Sequence, residues 1–186
     1  MGNPIGKQDQ YAVAFGGFNN YRFNQDDTVF VNPIICRKDT KEKLENHLMF
    51  FYTGITRMSS DILCEQKSNV NKNKYELDEI TKIAIHAHEL LNENMLDTWG
   101  ELLDESWKLK KKLAGKISTP EIDLMYRRAK EAGAIGGKII GAGGGGFLML
   151  YVPLNKQNEV EVALKNYRRI NMHFEMQGSR IIYVSD

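Results

Sequence analysis

The chain has 186 residues with a formal net charge of +1, and 42% of them are hydrophobic and 26% charged. This composition is ordinary for a soluble globular protein of one or two domains. Because the charge is nearly balanced, there is no electrostatic reason to expect nucleic acid or a membrane surface as a partner.

Two further features predict a cytoplasmic location. The first ten residues do not contain the apolar core of a signal peptide, and no apolar run reaches the length of a membrane-spanning helix. The two cysteines, Cys36 and Cys64, do not have the spacing of metal ligands and are expected to be free thiols in a reducing compartment.

The first part of the chain combines a polar cluster, an apolar segment and two predicted strands. Residues 6–10 are mostly polar or charged, and apolar residues alternate with alanines over residues 11–15. Residues 21–23 and 28–31 are predicted as neighbouring strands joined by a polar turn.

From residue 39 the pattern changes to helices, interrupted by an apolar run at 47–53 that predicts a central strand. Helices are predicted over residues 56–66, 76–92, 95–113 and 118–133. The basic run Lys110-Lys111-Lys112 falls at a predicted helix end, where cations interact favourably with the helix dipole. We therefore expect this run to form a solvated face.

The C-terminal part is predicted to contain four strands and one helix. Apolar runs predict strands at 139–140 and 147–152, on either side of a glycine-rich loop. A helix is predicted over 155–169. Alternating apolar and polar residues then predict a half-buried strand at 172–177, and a last strand follows at 181–184.

The glycine-rich loop, called the glycine loop below, consists of Gly141, Ala142, Gly143, Gly144, Gly145 and Gly146. Residues without a Cβ atom let a ligand come close to backbone N–H groups. The spacing matches G-x-G-x-x-G, but a dinucleotide site requires a helix after the loop, and the next residues are strand-like. The Lys-Ser or Lys-Thr of a Walker loop and the downstream motifs of protein kinases are not present either. A plain hairpin turn is the alternative, although it needs only one or two glycines.

The histidines do not predict a metal site. His86 and His88 are two residues apart on a predicted helix, so their side chains point to different faces and are not expected to chelate one ion.

Three features together resemble the GHMP kinases, the family of galactokinase, homoserine kinase, mevalonate kinase and phosphomevalonate kinase. The glycine loop between two strands is similar to the family's third motif. Gln8-Asp9-Gln10, followed by small and aromatic residues, is similar to the place of the family's catalytic aspartate. The order of the predicted helices and strands resembles the family's C-terminal half.

Within the family, the sequence is most similar to the D-glycero-D-manno-heptose 7-phosphate kinases. The segments that carry this similarity are residues 6–11, 15–19, 52–57, 106–107 with 110–111, and 133–138. Fucokinase-type relatives share several of these segments.

The resemblance implies an α+β fold, in which a ferredoxin-like antiparallel sheet with a helical layer forms the GHMP kinase C-terminal domain. Residues 1–37 would be the last strands of the N-terminal (ribosomal S5 domain 2-like) kinase domain, and residues 38–186 the C-terminal domain. The family's first two motifs, a substrate-binding segment and the loop that cradles the ATP phosphates, are not matched. We therefore expect the chain to correspond to the C-terminal half of a kinase and to have little or no activity alone.

The resemblance also implies a reaction in the complete enzyme. With ATP and Mg²⁺, it would phosphorylate a sugar-phosphate hydroxyl, and the expected reaction converts D-glycero-D-manno-heptose 7-phosphate to the 1,7-bisphosphate. Asp9 would accept the proton of the attacking hydroxyl, and the glycine loop would close over the reacting phosphate. The candidate substrate-binding residues are Lys7, Gln8, Arg57 and Lys138. The structural alternative for each of these residues is an ordinary surface group or a packing salt bridge.

Two other functions stay open. The chain would then be part of another GHMP sugar kinase, such as a fucokinase- or galactokinase-like enzyme, or a non-catalytic GHMP module that binds a sugar phosphate or a partner subunit. The expected partners are the sugar phosphate and either the missing N-terminal half or another subunit.

Overall fold

The computed structural model describes residues 6–183 and contains seven α-helices and six strands within them. The helices are α1 (Gln8–Phe15), α2 (Lys38–His47), α3 (Ser59–Ser68), α4 (Lys74–Glu93), α5 (Leu96–Lys112), α6 (Pro120–Glu131) and α7 (Gln157–Ala163). The strands are β1 (Asn19–Phe23), β2 (Val29–Pro33), β3 (Leu48–Tyr52), β4 (Gly136–Ile139), β5 (Phe147–Tyr151) and β6 (Arg168–Ile170).

Four of the strands form an antiparallel sheet in the order β4-β5-β3-β6. Helices α3 to α6 lie between β3 and β4 in the chain, and α7 lies between β5 and β6. The resulting βαββαβ order is that of a ferredoxin-like fold. The predicted α+β class and antiparallel sheet are therefore confirmed, as is the central position of the strand predicted at 47–53.

One face of this sheet forms the main core with the helices. In the register of β3 and β5, Phe51 lies opposite Leu148 and Met49 opposite Leu150. All four side chains are at most 1% exposed, and Trp107 of α5 belongs to the same buried cluster. Burial of apolar area between sheet and helices is the main force that stabilises such a layered domain.

Helix α5 packs closely against β4 because glycines lie at the contact. A Cβ atom on Gly136 would lie 2.0 Å from the carbonyl oxygen of Gly100, and one on Gly100 would lie 2.5 Å from the Tyr151 ring. Side chains are thereby excluded at both glycines. This contact fixes α5 beside the strand that leads into the glycine loop, and it places Lys110, near the end of α5, at that loop.

The N-terminal strands form a separate sheet. β1 and β2 pair in antiparallel fashion, which confirms the two predicted neighbouring strands. The alternating apolar segment before them is helix α1, whose Tyr11 ring meets the Phe23 ring edge-on at a centroid distance of 5.5 Å. The division of the chain after residue 37 stays a prediction, although α2 begins at Lys38.

The predictions for helices α4 to α6 agree with the structure to within a few residues at most ends. Thr119 is the N-cap of α6, since its side chain accepts a hydrogen bond from the N–H of Ile122, and Pro120 occupies the first turn as expected. Between residues 6 and 183, none of the helices combines the length and the apolar character that crossing a membrane requires.

The predictions after residue 155 are partly wrong. The helix ends at Ala163 rather than 169, because residues 168–170 pair with the open edge of β3 as strand β6. Residues 172–177 do not form the predicted strand. They run beside the end of α1 instead, where the N–H of Gly17 donates to the carbonyl oxygen of Glu175 at 2.9 Å. Of the strand predicted at 181–184, the first three residues have no regular structure, and the fourth lies outside the described residues.

Candidate functional site

The glycine loop joins β4 to β5, and its last residue is anchored to the segment that follows β3. The N–H and the hydroxyl group of Thr53 both donate to the carbonyl oxygen of Gly146, each at 2.9 Å. The N–H of Gly146 donates to the carbonyl oxygen of Ile55, also at 2.9 Å. Because Thr53 is only 3% exposed, this end of the loop is held by hydrogen bonds sheltered from water.

The middle of the loop passes two backbone segments too closely for side chains. The N–H of Gly144 donates to the carbonyl oxygen of Ile117 at 2.7 Å, and a Cβ atom on Gly143 would lie 2.9 Å from the same oxygen. A Cβ atom on Gly145 would lie 2.4 Å from the carbonyl oxygen of Ile55. The abundance of glycine therefore follows from the packing of the seven-residue connection between β4 and β5, which a two-residue hairpin turn would not require.

Some N–H groups of the loop have no acceptor in the described part of the chain, although Gly141 is exposed and Gly145 is buried. Gly144 and Gly146 donate within the chain, but no hydrogen bond among residues 6–183 is donated by the N–H of Gly141, Gly143 or Gly145. Backbone N–H groups in such turns form concave surfaces that bind anions. The loop can therefore bind an anionic group such as a phosphate.

Two lysines lie together at the start of the loop. The Nζ of Lys110 donates to the carbonyl oxygen of Gly141 at 2.5 Å. The pKa of Lys110 is lowered to about 8, first by burial and second by the positive charge of Lys138, while the carboxylate of Asp9 opposes this shift. Burial also lowers the pKa of Lys138, which lies on β4. Both side chains are half-buried, so this end of the loop is a positively charged and partly desolvated place.

Asp9 lies in the first turn of α1, near these lysines. Its side chain is exposed, and its charge acts on Lys110 although the two residues are far apart in the sequence. The fold therefore brings the predicted catalytic carboxylate to the same region as the start of the glycine loop. Its catalytic role stays a prediction.

Within residues 6–183, the two residues before Asp9 form no hydrogen bond or salt bridge with Lys110 or Lys138. Lys7 binds Asp27 instead, with its Nζ 2.6 Å from the Oδ1 atom of that residue. The hydrogen bond to Asp27 raises the pKa of Lys7. Gln8 is the exposed first residue of α1.

Arg57 holds the loop from its other side. Its Nη1 donates to the carbonyl oxygen of Lys116 at 2.7 Å. Its guanidinium group covers Gly144, because a Cβ atom there would lie 2.4 Å from the Cζ atom of Arg57. In this arrangement Arg57 positions the glycine loop, and its proposed contact with a substrate phosphate stays a prediction.

Lys110 is the site residue that the sequence analysis missed. The neighbouring lysines behave as expected for a solvated face, since Lys111 pairs with Asp123 at 3.0 Å and Lys112 lies 3.9 Å from Glu76. The expectation is wrong for Lys110, which contacts the loop. Nothing in the local pattern separates three consecutive lysines, and only the packing of α5 against β4 does so.

A phosphate group fits the amides and lysines of this site better than a metal ion does. Across residues 6–183, no three or more His, Cys, Asp or Glu side chains are placed to hold a metal ion together. Magnesium is usually held by one or two carboxylates together with substrate phosphates. Within residues 6–183, Asp9 is the carboxylate whose charge acts on Lys110, and alone it could hold magnesium only together with a substrate phosphate.

The part of the chain that carries the loop also matches a known family. Residues 87–169 match the family model for the C-terminal region of GHMP kinases, and they include Lys110, Lys138 and the glycine loop. This match assigns residues 87–169 to the C-terminal region of the GHMP kinases. The resemblance expected from the sequence is thereby confirmed.

Curated members of the GHMP kinase family are similar to most of this chain. It is 34% identical over 168 residues to the D-glycero-alpha-D-manno-heptose 7-phosphate kinase of Campylobacter jejuni, which covers 89% of this chain and 50% of that protein. It is 25% identical to the galactokinase of Pyrococcus furiosus over an alignment 197 positions long. That alignment covers 90% of this chain and 54% of that protein. The chain thus spans about half the length of these relatives.

Solved GHMP kinase structures show the same fold. A D-glycero-D-manno-heptose 1-phosphate kinase from Bacteroides thetaiotaomicron superposes with a TM-score of 0.67 at 28% identity, over 96% of this chain and 50% of that one. A putative sugar kinase from Campylobacter jejuni gives the same TM-score at 29% identity, over 93% and 50% of the two chains.

Proposed function

We propose that this chain is part of an ATP-dependent sugar kinase that acts on D-glycero-D-manno-heptose 7-phosphate and forms the 1,7-bisphosphate. The observation that carries the proposal is the meeting of three features: the amides of the glycine loop, the lysine pair at its start, and the nearby carboxylate of Asp9. The similarity to heptose phosphate kinases over most of the chain supports the choice of substrate.

The reaction is a phosphoryl transfer, which depends mainly on positioning and on stabilising negative charge. The oxygen of the sugar hydroxyl forms a bond to the γ-phosphorus of ATP, the bond to the β-phosphate oxygen breaks, and ADP leaves. Asp9 accepts the proton of the attacking hydroxyl. The loop amides and Lys138 stabilise the charge of the transferred group.

In this proposal, ATP and Mg²⁺ are held by segments that correspond to the half of the related kinases that this chain does not match. The loop described here closes over the reacting phosphate, and the 186 residues alone therefore turn over little or no substrate. We propose that the complete enzyme is cytoplasmic, where ATP and sugar phosphates are available. Its partner segment is either an N-terminal half or another subunit.

The proposal is tested by measuring ADP release in an enzyme that contains this chain together with an ATP-holding half of a heptose kinase relative. We expect turnover with heptose 7-phosphate and much less with fucose or galactose. A preference for fucose or galactose would instead favour a fucokinase- or galactokinase-like enzyme, for which relatives of both kinds provide support.

The second candidate is a non-catalytic module, since amides and lysines bind a phosphate without any reaction. Calorimetry on this chain separates the two candidates when it is combined with the turnover assay. Binding of heptose 7-phosphate with no ADP release in the combined enzyme would favour the non-catalytic module.

A further inference from the structure

Lys110 differs from the neighbouring lysines of α5 in what its ammonium group contacts. The others have carboxylate partners at 2.7 to 3.9 Å: Lys108 with Asp104, Lys111 with Asp123 and Lys112 with Glu76. Lys110 contacts the carbonyl oxygen of Gly141 instead and forms no salt bridge within residues 6–183. Its charge is therefore balanced by a dipole, which compensates much less than a carboxylate.

Lys138 likewise has no carboxylate partner among the described residues. It forms no salt bridge in the described part of the chain either, although it is half-buried beside Lys110. Two like charges in a partly desolvated place raise the free energy of the fold, unless an anion offsets them. Asp9 is the carboxylate whose charge acts on Lys110, but it is exposed and forms no salt bridge with either lysine among residues 6–183.

The backbone next to the two lysines adds hydrogen-bond donors. The carbonyl group that accepts from Lys110 belongs to Gly141, and the N–H groups of Gly141 and Gly143 donate to no acceptor among residues 6–183. Two ammonium groups and adjacent amides together suit a doubly charged anion with several acceptor oxygens, which is the chemistry of a phosphate.

We infer that Lys110 and Lys138 form a site for a phosphate dianion at the start of the glycine loop, with Lys110 as a substrate-binding residue. This inference rests on the proposed function and deepens it, because it assigns the site that recognises a phosphorylated ligand. The phosphate belongs either to the sugar or to the nucleotide, and the experiment separates these sources.

The experiment uses the full chain labelled with ¹⁵N and titrated with inorganic phosphate. We expect the largest shifts at the amides of Gly141 and Gly143, and we expect Lys110→Met to weaken phosphate binding about tenfold or more. Lys110→Arg keeps the charge and should stay within a few-fold of wild type. Lys112→Met, two residues further along the same helix, should bind as wild type does.

The inference is wrong if Lys110→Met binds phosphate with wild-type affinity, or if phosphate shifts no amide of the loop. The unchanged amide spectrum of the variant outside the loop serves as the control for folding. If that variant does not fold, Lys138→Met provides the same test because it removes the other charge, and Lys110→Arg is the control that keeps both charges.

Titrations with three further ligands show whether the bound phosphate belongs to the sugar or to the nucleotide. Loop shifts with heptose 7-phosphate but not with unphosphorylated heptose assign the site to the sugar, and shifts with ADP assign it to the nucleotide. Lack of a response to both phosphorylated probes overturns the site. Retained phosphate binding in a combined enzyme that releases no ADP would contradict the proposed kinase function and still support the phosphate site.

Discussion

The Nζ atom of Lys110 lies 2.5 Å from the carbonyl oxygen of Gly141, and this contact joins helix α5 to the first residue of the glycine loop. It makes the loop sensitive to the charge of a residue on a different element. Because burial and Lys138 lower the pKa of Lys110 to about 8, the contact also depends on pH within an accessible range.

We expect the free energy of unfolding to rise with pH between about 8 and 10. A lysine whose pKa is lower in the folded than in the unfolded chain binds fewer protons when folded, so stability increases as pH rises from the folded pKa toward the unfolded value. Lys138 acts in the same direction. Urea denaturation at several pH values measures this slope.

Two matched variants, Lys110→Met and Lys112→Met, test whether Lys110 causes this rise in the free energy of unfolding. The first should flatten the rise of stability between pH 8 and 10, whereas the second should keep it. Above pH 10 the slope should reverse in all three proteins, because burial raises the pKa of Tyr126 and of Tyr151 and folding then opposes their ionisation. An unchanged slope in Lys110→Met would show that the lysine is solvated.

Alanine at two positions of the loop separates backbone strain from side-chain contact. Gly144 and Gly146 have similar φ values of +76° and +83°, so alanine at either should cost about 1–2 kcal/mol for the left-handed conformation. At Gly144 the added Cβ also meets the guanidinium group of Arg57, whereas at Gly146 it meets no atom within 4 Å.

Gly144→Ala should therefore destabilise the chain by about 1 kcal/mol more than Gly146→Ala, because Arg57 must move and lose its hydrogen bond to Lys116. Thermal or urea denaturation of both variants measures the difference. In an Arg57→Ala background the two glycine variants should become nearly equal. Equal costs in the wild-type background would contradict the positioning role of Arg57.

The sequence predicted much of the fold because its signals were local. The period of the apolar residues marks helices α4 to α6, and the run at residues 47–53 marks the buried strand β3. Strand β6 was not predicted, since residues 168–170 continue a helix-like pattern. Only the open edge of β3, which is formed by residues distant in the sequence, makes them a strand.

The same distinction applies to the candidate site. The glycine loop is evident from its composition, and a resemblance to a family was needed to single out Asp9. Lys110 could not be identified from its neighbours, because its role comes from the contact of Gly100 with Gly136 that fixes α5 beside β4.

Asp9→Asn tests the assignment of the catalytic base in the combined enzyme. Loss of the carboxylate should lower kcat by about 10²- to 10⁴-fold, because the amide cannot accept the proton of the sugar hydroxyl. Binding of ATP should change little. Asp27→Asn is the control, since Asp27 pairs with Lys7 in the same N-terminal unit, and its kcat should stay near wild type.

Acid destabilisation should depend on Glu45, which ties the C-terminal segment to α2. Its carboxylate oxygens accept hydrogen bonds from the His173 ring at 2.9 Å and from the N–H of Phe174 at 2.8 Å. These two bonds, that of His173 first, lower the pKa of Glu45. A carboxylate with a lowered folded pKa contributes stability above its unfolded pKa of about 4.3, and this contribution is lost as pH falls through the folded value.

Glu45→Gln should therefore make the free energy of unfolding less dependent on pH below about 5, as measured by urea denaturation between pH 6 and 3. Glu42→Gln is the matched control on the same helix, because within residues 6–183 Glu42 has only an exposed pairing with Lys38 at 3.7 Å. It should keep the wild-type dependence. If Glu45→Gln and Glu42→Gln behave alike, the contacts of Glu45 with His173 and Phe174 do not stabilise the fold.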